Sequence, residues 1–181
     1  MGRSRFKFYE EYYPYFVTNS IVGGVSVFDD QHIAQILLES LKFIQTELEV
    51  KLYGFVLMHN HVHMIIEADG ISEKLRRFKS YTARKIIDSL TLRNRHIILE
   101  RIRSARVTQK EESEYQCWQE GSHPIQIDSD KKMTSCLDYI HYNPVKAGFV
   151  LKPEDWRYSS IFNYLKLNDT WDFITRYESE E

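Results

Sequence analysis

Cysteine is scarce: Cys117 and Cys136 are the only two in 181 residues. They form neither a disulfide framework nor a zinc spacing, so they read as plain buried thiols in a reducing, cytoplasmic protein. No stretch approaches the roughly 18 consecutive apolar residues of a membrane span. Residues 1–6 are basic but lack the apolar core of a signal peptide, and Phe6 breaks the myristoylation pattern. A global excess of positive charge is also missing, since the net charge is −2. No repeat and no low-complexity linker divides the chain, which is expected to form one domain over residues 1–181.

The composition present is that of a globular protein with a sizeable core, 43% hydrophobic and 28% charged. Aromatics are high at 14%. Charge is unevenly placed: residues 74–110 hold twelve Lys and Arg against the two acids Asp88 and Glu100. An acidic C-terminus hides this patch in the total.

Apolar periodicity gives the element order. Residues 12–28 read as extended, with a Gly23-Gly24 turn. Asp29 or Asp30 caps a helix with Ile33, Ile36, Leu37, Leu41 and Ile44 on one side. A strand over about 50–58 meets a polar corner, and a second strand runs over about 61–67. Ser72 starts a helix whose other side carries Lys74, Arg76, Arg77, Lys79, Arg84 and Lys85. Residues 93–108, with Arg93 and Arg95 at the start, continue as a second basic helix, and residues 109–114 form a polar loop. A short strand at 125–127 precedes a final helix, capped by Asp128 or Asp130. It should stop near Asn143, because Pro144 fits badly in a helix. The class is α+β: a ferredoxin-like (split β-α-β) antiparallel sheet with helices packed on one face, plus a C-terminal helix carrying Tyr139.

Two stretches carry chemistry. In Met58-His59-Asn60-His61-Val62-His63 the strand period of two puts His61 and His63 on one face. On the last helix, Tyr139 and Asn143 are four apart and share a face, while His141 points elsewhere. Two imidazoles and one amide or carboxylate oxygen make a partial cage with open positions, suited to Mg²⁺ or Mn²⁺. A phenol becomes a useful nucleophile when a metal polarises its target, and attack on a phosphodiester would conserve the bond energy as phosphotyrosine.

The histidine run resembles the HUH motif of single-tyrosine transposases, which usually have proline where this chain has His59. Trp118-Gln119-Glu120-Gly121 with His123-Pro124, Leu137-Asp138-Tyr139-Ile140-His141-Tyr142-Asn143-Pro144-Val145-Lys146-Ala147-Gly148, and Tyr158-Ser159-Ser160 resemble their REP-associated branch. The resemblance covers about residues 10–162. It implies a divalent-metal-dependent endonuclease and strand transferase acting on single-stranded DNA near hairpins, as a monomer or homodimer away from membranes. His61 and His63 would be metal ligands, Tyr139 the nucleophile and Asn143 a third ligand. His59 could be a spare imidazole near the metal or an exposed turn residue. Lys74, Arg76, Arg77, Lys79, Arg84, Lys85, Arg93 and Arg95 would contact DNA phosphates. Two other readings of the residues are a non-catalytic single-stranded DNA- or RNA-binding module of the same fold and a phosphodiesterase using activated water.

Overall fold

The computed structural model describes residues 12–107, 114–165 and 170–178. The sequence readings at residues 1–6 and 108–113 lie outside these. Four strands, β1 (Tyr15–Ser20), β2 (Lys51–Leu57), β3 (His61–Glu67) and β4 (Ile125–Gln126), form one antiparallel sheet in the order β2-β3-β1-β4. This is the ferredoxin-like order. β3 and β1 are its interior strands, and Thr18 lies opposite His63 in their register.

The two sheet faces have different covers. Tyr15, Val17, Leu52, Phe55, Leu57, Val62, Met64 and Ile66 pack under α1 (Gln31–Glu47) and α2 (Ile71–Leu92). Phe16, Val56 and Ile65 pack under Met133, Leu137 and Ile140 of α4 (Asp130–Lys146). The expectation of helices on one face therefore holds for α1 and α2, and α4 covers the other. α3 (His96–Ser104) follows α2 after a break where Asn94 takes φ 53°. A short α5 (Ile161–Tyr164) comes after α4.

Asp30 starts α1 by accepting the His32 N–H at 3.0 Å. The same carboxylate takes both Arg93 hydrogen bonds at 2.7 Å. Burial alone would raise its pKa, but the Arg93 hydrogen bonds, the His32 N–H and the charges of Arg93 and Arg95 hold it below the ordinary value. Trp118 is also structural: it is buried and donates Nε1 to Thr82 Oγ1 at 3.0 Å. Cys117 is buried, while Cys136 is only half-buried.

Three local readings are corrected. The segment after Gly23-Gly24 is not extended: 3₁₀ turns form at Val22–Gly24 and Val27–Asp29. Both glycines have positive φ, and the Phe28 N–H is taken by the His59 carbonyl at 3.0 Å, so the segment wraps the corner instead of pairing as a strand. The N-cap position of α4 is Ser129, whose side chain makes no capping bond, and Asp130 is the first helical residue. The helix also does not stop at Asn143 but runs through Pro144 to Lys146. In the last turn, the missing Pro144 N–H deprives only the Ile140 carbonyl of its partner. Gly148, at φ 76°, is the true stop. Gly148 N–H bonds the Val145 carbonyl at 2.9 Å and Phe149 N–H bonds the Pro144 carbonyl at 3.0 Å, a Schellman cap.

Gly54 lets α4 approach the sheet. A β-carbon there would lie 2.9 Å from Leu137 Cδ2 and 3.4 Å from Ser160 Oγ. Gly54→Val is expected to destabilise the fold by about 1–3 kcal/mol through overpacking. Gly54→Ala should cost less, because the end of Leu137 can turn aside. Urea unfolding midpoints of the two variants check this order.

Candidate active site

β3 holds His61 and His63 on the face beneath α4, as the strand period predicts. Their Nε2 atoms lie 3.1 Å apart, with the rings edge to face at 78°. Each Nδ1 is held by a neighbour. Asn60 donates Nδ2 to the Gly24 carbonyl at 3.0 Å, which fixes the amide so that Oδ1 faces His61 Nδ1 at 2.7 Å. That oxygen can only accept, so His61 carries its proton on Nδ1 and offers a lone pair at Nε2. His63 Nδ1 lies 2.7 Å from Thr18 Oγ1, and a hydroxyl can accept from it and leave its Nε2 free as well.

Burial lowers the pKa of both imidazoles. For His61 the charge of His59 adds to it; for His63, pushed down to about 3, that of His61 does. Both rings are therefore neutral near pH 7, the form that binds a metal. Among the described residues no third His, Cys, Asp or Glu joins them. A further donor on the Nε2 side is Asn143, whose amide lies 3.4 Å from His63 Nε2. Turning that amide over would present its oxygen to the same point. Two lone pairs and one amide converging on one spot fit a divalent cation with open positions for water or phosphate oxygens.

α4 brings Tyr139 to the same place in the same chain. Its ring meets His63 edge-on at 5.4 Å and Phe16 edge-on at 5.6 Å, while Phe16 stacks on His63 at 5.4 Å. Tyr139 is 42% exposed, so its hydroxyl can meet a large substrate. Lys146 Nζ stands 5.4 Å over the Tyr139 ring. His141 points away from the Tyr139 face, and the structure buries it. Its Nε2 bonds Ser160 Oγ at 2.9 Å, and that oxygen also accepts the Phe55 N–H at 2.9 Å. The Tyr158-Ser159-Ser160 motif thus ties α4 to β2.

His59 sits half-buried at the corner, near enough to His61 for its charge to lower that imidazole's pKa. Its Nδ1 is bonded to Asp29 Oδ1, and its ring meets Phe149 edge-on at 4.3 Å and Trp156 at 5.4 Å. The basic residues on and after α2 sit on the other side of the sheet. Several are engaged there: Arg76 with Glu73, Arg93 and Arg95 with Asp30, and Arg84 with Asp88 at 3.9 Å. Lys79 donates to the Gln119 and Gly121 carbonyls, each at 2.8 Å, and so holds the Trp118-Gln119-Glu120-Gly121 loop. Burial pulls its pKa down to about 8 despite the opposing charges of Glu120 and Cys117. Lys74, Arg77 and Lys85 form no salt bridge among the described residues, although Arg77 lies near enough to Glu73 for its charge to be felt, and Lys85 lies 5.7 Å over Tyr81.

The buried imidazoles make the metal-free chain acid-sensitive. His63 is depressed to about 3 and His141, by burial, to about 4, against an unfolded value near 6.5. The unfolded chain therefore takes up these protons first as pH falls. Their contribution to stability is complete above pH 6.5 and is lost toward pH 4 and below, at roughly 1 kcal/mol per pH unit for each group at the steepest point. Urea midpoints at pH 7 and pH 5 should show the fall, and His141→Asn should reduce it.

The antiparallel ferredoxin-like sheet carries the imidazole pair on an interior strand, with the phenol across that face. Residues 24–102 match the family model described as Transposase IS200 like, a span that includes the histidine pair and ends before α4. The chain is similar, more particularly, to the REP-associated tyrosine transposases. It is 45% identical over 49 residues to a candidate member from Haemophilus influenzae (strain ATCC 51907 / DSM 11121 / KW20 / Rd), a stretch that is 27% of this chain and 28% of that protein. Among solved structures, a REP-associated tyrosine transposase bound to a REP hairpin superposes with a TM-score of 0.68 at 17% identity, covering 100% of this chain and 94% of that one. A candidate transposase from Deinococcus radiodurans superposes with a TM-score of 0.47 at 18% identity, over 77% of this chain and 95% of that one. No helix among the described residues is long and apolar enough to cross a membrane.

Proposed function

We propose that this chain is a single-stranded DNA endonuclease and strand transferase of the REP-associated kind, cutting through a covalent phosphotyrosine. The observation that carries this is the meeting of Tyr139 with the His61–His63 pair within one chain. His61, His63 and Asn143 would hold Mg²⁺ or Mn²⁺, which when bound withdraws electron density from the phosphodiester. The Tyr139 oxygen attacks phosphorus and forms the new P–O bond as one ester bond to the strand breaks. The phenolic proton passes to solvent at the open side of the ring, and the departing strand oxygen leaves as a hydroxyl. Attack by a strand hydroxyl on the phosphotyrosine reverses the sequence and rejoins DNA without ATP. Lys146 sets a positive charge beside the phenol that favours an approaching phosphate.

Lys74, Arg77 and Lys85 would contact phosphates across the sheet from this centre, with Arg76, Lys79, Arg84, Arg93 and Arg95 engaged in the internal pairings described. A hairpin-bearing single strand is the substrate we propose, by analogy with the hairpin-bound structure.

The test is incubation with Mn²⁺ and hairpin-bearing single-stranded DNA from around its own gene, followed by denaturing electrophoresis. A protein–DNA band that survives denaturant and needs the metal is expected. Binding without any adduct would instead identify a non-catalytic module, and cleavage without an adduct would identify water as the nucleophile.

A further inference from the structure

Beside the histidine pair lies a cleft that shares only His61 and Asn143 with the proposed metal site. It measures 420 Å³ and is bounded by Ser26, Asp29, His59, Asn60, Asn143 and Phe149. Sites for small molecules begin at about 300 Å³, so a nucleoside-sized group fits. His61 and Asn143 border it too, so the cleft opens onto the point where a phosphodiester would be held.

The lining indicates what kind of group this is. No Lys or Arg faces the cleft, and Asp29 puts a carboxylate in it, so it is a poor seat for a phosphate. Phe149 is 49% exposed, with its ring stacked on Trp156 at 5.7 Å and 26° and wedged by His59. The Trp156 indole is itself anchored, donating Nε1 to the Leu57 carbonyl at 2.9 Å. An immobilised aromatic face beside a polar, uncharged-to-acidic wall is how a base is held between stacking and edge hydrogen bonds. Asp29 Oδ1 takes His59, leaving the other carboxylate oxygen to accept from a base amino group.

We propose that this cleft seats one nucleobase of the substrate strand next to the scissile phosphodiester, with Phe149 as the stacking surface and the Asp29–His59 pair reading the base edge. A base with an exocyclic amino group is preferred over thymine. This rests on the strand-transferase reading for its substrate. It also gives His59 a task in selecting the cut position.

Short single-stranded oligonucleotides carrying 2-aminopurine at successive positions test it by fluorescence, without need of cleavage. One position should be quenched on binding. Phe149→Ala should abolish that quenching and weaken strand affinity about tenfold. Phe149→Tyr, which keeps a stackable ring, should retain it, and Asp29→Asn should reduce the preference for an amino-bearing base over thymine at that position alone. Urea midpoints establish that each variant is folded. Quenching at no position, or quenching that is unchanged in folded Phe149→Ala, overturns the proposal. The adduct assay on the same strands separates the two readings. An adduct without position-specific quenching removes the base cleft and leaves strand transfer standing; quenching with no adduct on any strand does the reverse.

Discussion

Tyr139→Phe is expected to lower covalent adduct formation by about four orders of magnitude or more, to background, with folding and strand binding unchanged. The substitution removes a single oxygen, the atom proposed to bond to phosphorus. Losing a nucleophile costs catalysis on that scale because no neighbour can supply the same bond. The ring itself stays, so its edge contacts with Phe16 and His63 persist and α4 has no reason to shift. Denaturing electrophoresis reads the adduct, and fluorescence anisotropy of the labelled strand reads binding. An adduct of undiminished yield in Tyr139→Phe would take the nucleophile's role away from this residue.

His63→Ala is the second large effect, an expected loss of about a thousandfold or more in metal-dependent adduct formation. His63 is central to the cluster: its Nε2 faces His61 at 3.1 Å and the Asn143 amide at 3.4 Å, and its ring supports both Phe16 and Tyr139. Without it, one imidazole and an amide remain, too few protein donors to hold the ion in place. Thr18→Val should fall between this variant and the native chain, about 10–100-fold down, since it removes only the partner that orients the ring. Calorimetric titration with Mn²⁺ should rank affinities as native, Thr18→Val, His63→Ala. Equal affinity in all three would place the ion elsewhere.

The parts of this site that could be read from the sequence were those governed by local periodicity. Apolar runs on either side of a polar corner located β2 and β3 closely, and the period of two put both imidazoles on one face. A spacing of four put Tyr139 and Asn143 together on α4. What escaped depended on register and packing. Thr18 supports His63 only because β1 lies antiparallel beside β3, and nothing local to Thr18 announces that pairing. Asn60 was closer to hand, being adjacent to His61 inside the motif, but its value comes from the Gly24 carbonyl across a turn. The end of α4 was misjudged by weighing Pro144 and not Gly148, whose positive φ decides where the helix stops. The basic residues near α2 showed their charge in the sequence but not their commitments: Arg93 and Arg95 answer to Asp30, and Lys79 to a loop forty residues on.

The helix that bears the phenol is held along its whole length: its Met133, Leu137 and Ile140 pack on Phe16, Val56 and Ile65 of the sheet, its His141 is pinned to Ser160, and a Schellman cap locks its end. Such a mounting leaves little room for the attacking group to swing from one strand to another. If strands are exchanged here, the nucleic acid must do the travelling, with the severed end parked on a stationary anvil until its replacement is carried in.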